Sequence, residues 1–148
     1  MRFPQLEARD LEGKSVVLPA AFVGEYNVVL LAFERTQQLA VDTWIPWLEA
    51  LVSRRSDVAF YEVPVIAGAW KVMRRVIDSG MAAAILTPTV LRRTMTVYGN
   101  VEKVTSPLKI PDRSAIVTLL VDRDGVVIWS TRGSFSPDAA ASLNARLS

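Results

Sequence analysis

The side chains able to do acid–base or nucleophilic chemistry in this chain are few in kind. Its 148 residues include no histidine and no cysteine, so a catalyst built from it would draw on aspartate, glutamate, lysine, serine or tyrosine. Glu34, Asp42, Glu49 and Glu62 fall near a strand-to-helix junction or on helix faces, where solvated charge is the default. Lys14 and Ser15 are a turn pair, and no second base is identifiable. Residues 8–15 fit a relaxed phosphate-loop pattern. That mechanism needs a helix N-terminus after the loop to present N–H groups to phosphate, whereas residues 15–18 continue as an extended segment. Asp122, Asp124 and Gly125 open like a calcium loop, but Val126, Val127 and Ile128 stand where further oxygen ligands belong. Both segments are therefore expected to be hairpin turns. Zinc and transition-metal sites use histidine or cysteine in nearly every common form. The reading names no catalytic residue, no metal ligand and no cofactor.

Composition narrows the class. The net charge is +2, and the arginine pairs at 54–55, 74–75 and 92–93 are dispersed rather than gathered on one face. A nucleic-acid binder shows a clustered basic surface, so no nucleic-acid partner is expected. The longest apolar runs, residues 28–33 and 81–86, fall far short of the roughly 20 residues of a membrane span. No signal-peptide pattern opens the chain, and a cytoplasmic location is the default expectation, the compartment being otherwise unknown. Hydrophobic residues make up 51% of the chain, enough to suggest that some surface is buried against a partner or a second copy.

The elements that must position any site follow from periodicity. No linker or repeat divides residues 1–148, so one domain is expected. Residues 3–18 read as two short strands around a glycine turn. Residues 26–34 and 57–66 are nearly continuous apolar runs, the pattern of strands buried on both faces. Between them, residues 38–54 take helical spacing, with Val41, Trp44, Leu48 and Leu51 on one stripe and Pro46 inside the pattern, where a kink is expected. A second helix is expected over 69–81, with Trp70, Met73 and Ile77 inward and Gly80 near its end. Residues 86–113 are broken by Pro88, Gly99, Pro107 and Pro111 and hold a short strand or turn near 95–98. Residues 116–122 and 126–131 form a hairpin across Arg123-Asp124-Gly125. Ser136, Pro137 and Asp138 begin a last helix, with Leu143 and Leu147 on its apolar stripe.

This order, with its strand-to-helix junction, resembles the thioredoxin-like superfamily. Residues 33–48 align without gaps on that family's Phe, Cys-x-x-Cys and proline-containing helix, Phe33 and Pro46 matching. The two cysteine positions are filled by Gln38 and Val41. Val117 takes the place of the family's cis-proline before Thr118, and Gly133 matches the glycine after the last strand. The N-terminal segment is similar to peroxiredoxins and membrane-anchored thioredoxins. Tyr98-Gly99, Leu120-Val121-Asp122, Ile128-Trp129 and Gly133 are similar to thioredoxin-like assembly factors of the mitochondrial ATP synthase. The resemblance implies an α/β fold, a mixed central sheet with helices on both faces and an N-terminal hairpin. It also implies a redox-inactive protein, since the family's nucleophile is a thiolate. A non-proline cis bond costs about 2.5–4 kcal/mol, so the bond before Val117 is expected to be trans.

The function expected is the binding of a protein or peptide, in the manner of an assembly chaperone rather than an enzyme. The surface expected for it comprises Arg35, Thr36, Gln37, Gln38, Ile116 and Val117. Gln38 should stand at the helix start, where its side chain or the free helix N–H groups remain open to an acceptor, and Trp47 is a further partner-facing candidate because exposed tryptophan often anchors interfaces. Two alternatives stand beside this reading: a non-thiol enzyme or small-molecule binder using the same cleft, and a structural homo-oligomer.

Overall fold

The computed structural model describes residues 1–66, 92–99 and 101–147. Among these described residues, seven strands form one mixed sheet: β1 (Leu6–Asp10), β2 (Ser15–Leu18), β3 (Tyr26–Ala32), β4 (Val58–Ile66), β5 (Met95–Tyr98), β6 (Val117–Asp122) and β7 (Val127–Arg132), in the order β2-β1-β5-β4-β3-β6-β7. Strand β3 is internal. It runs parallel to β4, from Tyr26 opposite Val58 to Ala32 opposite Pro64, and antiparallel to β6, from Tyr26 opposite Asp122 to Leu31 opposite Val117. Six of its seven residues are buried, which is why its sequence is apolar without alternation.

Both faces of the sheet are covered. On one, Val28, Leu30, Val58 and Phe60 meet the inward stripe of helix α1 (Gln38–Arg54) and Leu143 and Leu147 of the C-terminal segment that begins as α3 (Pro137–Arg146). On the other, Val29, Leu31, Val63 and Val65 meet Phe3, Phe22, Leu108 and Val104, the last from the short helix α2 (Glu102–Thr105). Val41, Trp44, Leu48 and Leu51 are all buried on α1, and the helix runs through Pro46 without a break in its assignment. Ser136 caps α3 by accepting from the Ala139 N–H, with Pro137 at the first helical position.

The two lookalike motifs are turns. At the first, one Asp10 side-chain oxygen accepts from the Glu12 and Lys14 N–H groups, Gly13 has φ 87°, and β2 follows where a phosphate loop would need a helix. At the second, Asp122 accepts from the Asp124 and Val126 N–H groups in the same way, and Gly125 has φ 85°. The cis peptide bond among the described residues is Leu18–Pro19, so Ile116–Val117 is trans as expected.

The bounds of β3, β4, β6 and β7 fall within two residues of those expected, and the short strand expected near 95–98 is present. Strand β3 ends at Ala32 rather than 34, because Arg35–Gln37 form a 3-10 turn leading into α1. Residues 95–98 are a full member of the sheet, parallel to β4 and antiparallel to β1, and so tie the N-terminal hairpin to the centre. The helix expected over 69–81, with Trp70, Met73, Ile77 and Gly80, and the arginine pair 74–75 lie outside the described residues.

Candidate functional site

The end of the sheet where β3 delivers the chain to α1 is built by three segments that hydrogen-bond to one another. Gln37 is 8% exposed and joins the first two. Its oxygen accepts from the Phe33 N–H at 2.8 Å, and its amide nitrogen donates to the Arg113 carbonyl at 2.7 Å. The third segment follows β7, where the Gly133 N–H donates to the Ile116 carbonyl at 2.9 Å and the Trp44 indole N–H donates to the Gly133 carbonyl at 3.2 Å. The Phe135 N–H then reaches Thr43 Oγ1 at 2.9 Å, tying that segment to α1.

Gln38 is the first residue of α1 and is exposed, yet its side chain is engaged rather than open. Its amide nitrogen donates to Asp42 Oδ1 at 2.9 Å and to Glu62 Oε1 at 3.2 Å, so one amide bridges two carboxylates and fastens the first turn of α1 to β4. Burial pushes the Glu62 carboxyl above its ordinary pKa and Asp42 adds to that, while the Gln38 hydrogen bond and Arg93 oppose it. Arg93 lies across the same face. Its guanidinium is 3.9 Å from the Phe60 ring centre and 2.6 Å from Glu49 Oε1. At the opposite flank Arg132 meets Asp112 Oδ1 at 2.7 Å, and this contact with the Ser114 hydrogen bonds holds the Asp112 carboxyl well below the usual carboxylate range.

Burial divides the expected partner surface. Arg35, Thr36 and Gln38 are exposed, and Trp47 is half-buried against Trp44 and Phe135. Gln37, Ile116 and Val117 are not surface residues. Gln37 is consumed by the two loops it joins, while Ile116 and Val117 belong to the cores on opposite faces of the sheet. Two residues not singled out in the sequence are exposed at the same end. Leu39 is 78% exposed beside Gln38, and Arg113 is exposed on the loop that Gln37 holds. Leu39 carried a signal in the sequence, since it falls off the apolar stripe of its own helix.

A cleft of about 960 Å³ lies elsewhere, between the β1–β2 turn and β4. Its lining includes Lys14, Val16, Val23, Tyr61, Arg92 and Arg93 and none of Arg35, Thr36, Gln37, Gln38, Trp47, Ile116 and Val117. A small-molecule site in that cleft would not be the cleft foreseen from the sequence. Among the described residues no group of three or more acidic side chains is placed to hold a metal ion, and no helix is long and apolar enough to cross a membrane.

No protein-family model and no curated protein matches the sequence. Solved structures do match the fold. The exposed lipoprotein thioredoxin Etrx1 of Streptococcus pneumoniae superposes with a TM-score of 0.60 at 11% identity, over 96% of this chain and 98% of that one. Yeast Sco1 with copper bound gives 0.61 at 12% identity, over 99% and 92%. StoA of Bacillus subtilis gives 0.58 at 13% identity, over 97% and 96%. The chain thus has the thioredoxin-like fold, built without a cysteine anywhere in its sequence.

Proposed function

We propose that this is a redox-inactive thioredoxin-like protein whose β3–α1 end receives a protein or peptide partner, as an assembly chaperone does. The observation that carries the reading is Leu39. A leucine 78% exposed in the first turn of a helix, directly beside the position aligned with a thiol, stabilises nothing in the isolated chain. Burying such a side chain is worth roughly 1.5–3 kcal/mol, which association can supply. The half-buried Trp47 and Phe135, packed at 6.2 Å between ring centres, extend the apolar surface along α1.

Capture from native extract by the immobilised protein tests this, with Leu39→Asp compared with the parent. A partner should be retained by the parent and lost by the variant, while the two melt at nearly the same temperature. Equal capture by both proteins would move the binding surface away from this end.

A further inference from the structure

The charges around Leu39 specify what kind of partner fits. Arg35 and Arg113 are exposed, and neither forms an ion pair among the described residues. Gln37 brings them to the same place, since Arg35 lies in the turn that contains Gln37 and Arg113 supplies the carbonyl 2.7 Å from the Gln37 amide. Of the carboxylates at this end, Asp112 is paired with Arg132, and Asp42 and Glu62 are tied to the α1–β4 junction by the neutral Gln38 amide, while Glu34 has no ion pair among the described residues. The position of Arg35 is locally unfavourable. It precedes a helix with no side-chain cap and no acid in its first turn, where the helix dipole already favours negative charge. Such a cation gains from an incoming carboxylate.

We infer that the surface made by Arg35, Arg113 and Leu39 binds an acidic segment of another protein, one that also carries an apolar side chain to cover Leu39. This rests on the partner-binding reading above and adds the partner's chemistry. Exposed cations steer association and confer specificity more than they add affinity, so the interaction should weaken with salt.

The test uses three labelled eight-residue peptides with leucine at the third and sixth positions, the remaining positions being all glutamate, all glutamine or all lysine. Fluorescence anisotropy should show binding of the glutamate peptide alone, with the affinity falling about tenfold or more between roughly 50 and 300 mM salt. Arg35→Glu with Arg113→Glu should lower that affinity by about tenfold or more. Arg54→Glu with Arg146→Glu makes the same charge change at the end of α1 and in α3, and should alter it by less than about threefold. Arg35→Ala with Arg113→Ala serves if the reversal impairs folding. Equal binding of the glutamine peptide, equal losses in both reversals, or no binding of the glutamate peptide would each overturn the inference. Loss of extract capture in Leu39→Asp alongside any of those results would leave the partner-binding reading standing.

Discussion

Gln37 and Arg113 are 76 positions apart in sequence, and a 2.7 Å hydrogen bond from the Gln37 amide to the Arg113 carbonyl closes the β3–α1 end of the sheet. The same side chain satisfies the buried Phe33 N–H on its other side. One neutral amide thus serves a donor and an acceptor that no strand can reach. In the aligned thioredoxin-like pattern this residue immediately precedes the first cysteine position, and here its role is to hold two loops in place.

Gln37→Leu should therefore destabilise the fold by about 1–3 kcal/mol, because it leaves a buried N–H and a carbonyl without partners. Gln37→Glu keeps the acceptor for Phe33 but sets a carboxylate against the Arg113 carbonyl, and should be at least as damaging. Urea unfolding with the slope monitored measures both. Unchanged midpoints would mean that water replaces the amide at no cost.

Thr118 presents the opposite case. It is fully buried on β6, opposite Leu30, and its hydroxyl has no hydrogen-bond partner among the described residues. Thr118→Val replaces that hydroxyl by a methyl group of similar size, so stability should rise by about 1 kcal/mol. A fall in the urea midpoint would reveal a partner for the hydroxyl, such as a buried water.

Glu62 predicts a pH dependence whose sign follows from burial. Its folded-state pKa is raised, so between the ordinary glutamate value and the folded value the native state holds more protons than the unfolded chain. Stability from this group therefore falls as pH rises through that window. Glu62→Gln keeps an acceptor for Gln38 and removes the titration, so its advantage over the parent should be smallest below the window and largest above it. Melting temperatures of both proteins, followed upward in pH from the ordinary glutamate value of about 4.3, test this. A difference that is constant across the range would refute the assignment, and Asp42 and Arg93 are the charged neighbours to vary next.

Much of this fold was legible because its signals are local. The apolar runs of β3 and β4, the stripe of α1 and the Ser136-Pro137 start of α3 each follow from periodicity and capping. Strand β5 was only half legible, since its four residues pair with β1 and β4 through registers that no local pattern encodes. The exposure of the residues expected at the β3–α1 end was the least legible part. Ile116 and Val117 stand at the expected place along the chain, but sheet packing buries them, and alignment to a family motif does not report burial. Gln37 and Gln38 look alike in sequence. The first is a buried staple and the second an exposed bridge, a difference set by loops that arrive from elsewhere in the chain.

Restoring cysteines at 38 and 41 tests the alignment itself. Gln38 and Val41 are three residues apart in the first turn of α1, where helix geometry puts their Cα atoms about 5 Å apart, within the range that a disulfide spans. Gln38→Cys with Val41→Cys should therefore oxidise to an intramolecular disulfide, seen as the loss of two hydrogens in the intact mass and of both alkylation sites. Losing Gln38 also releases the bridge to Asp42 and Glu62, and Val41 is 2% exposed, so some stability should be lost in the reduced form. The single variants Gln38→Cys and Val41→Cys apportion that loss. Disulfide exchange with a small thiol should be possible, because position 38 is exposed. Turnover of a protein disulfide should remain poor, because Val117 is buried where the thioredoxin-like pattern has proline and offers a substrate no edge. Two thiols that stay reduced in a folded double variant would show that the helix start is out of register with the Cys-x-x-Cys pattern.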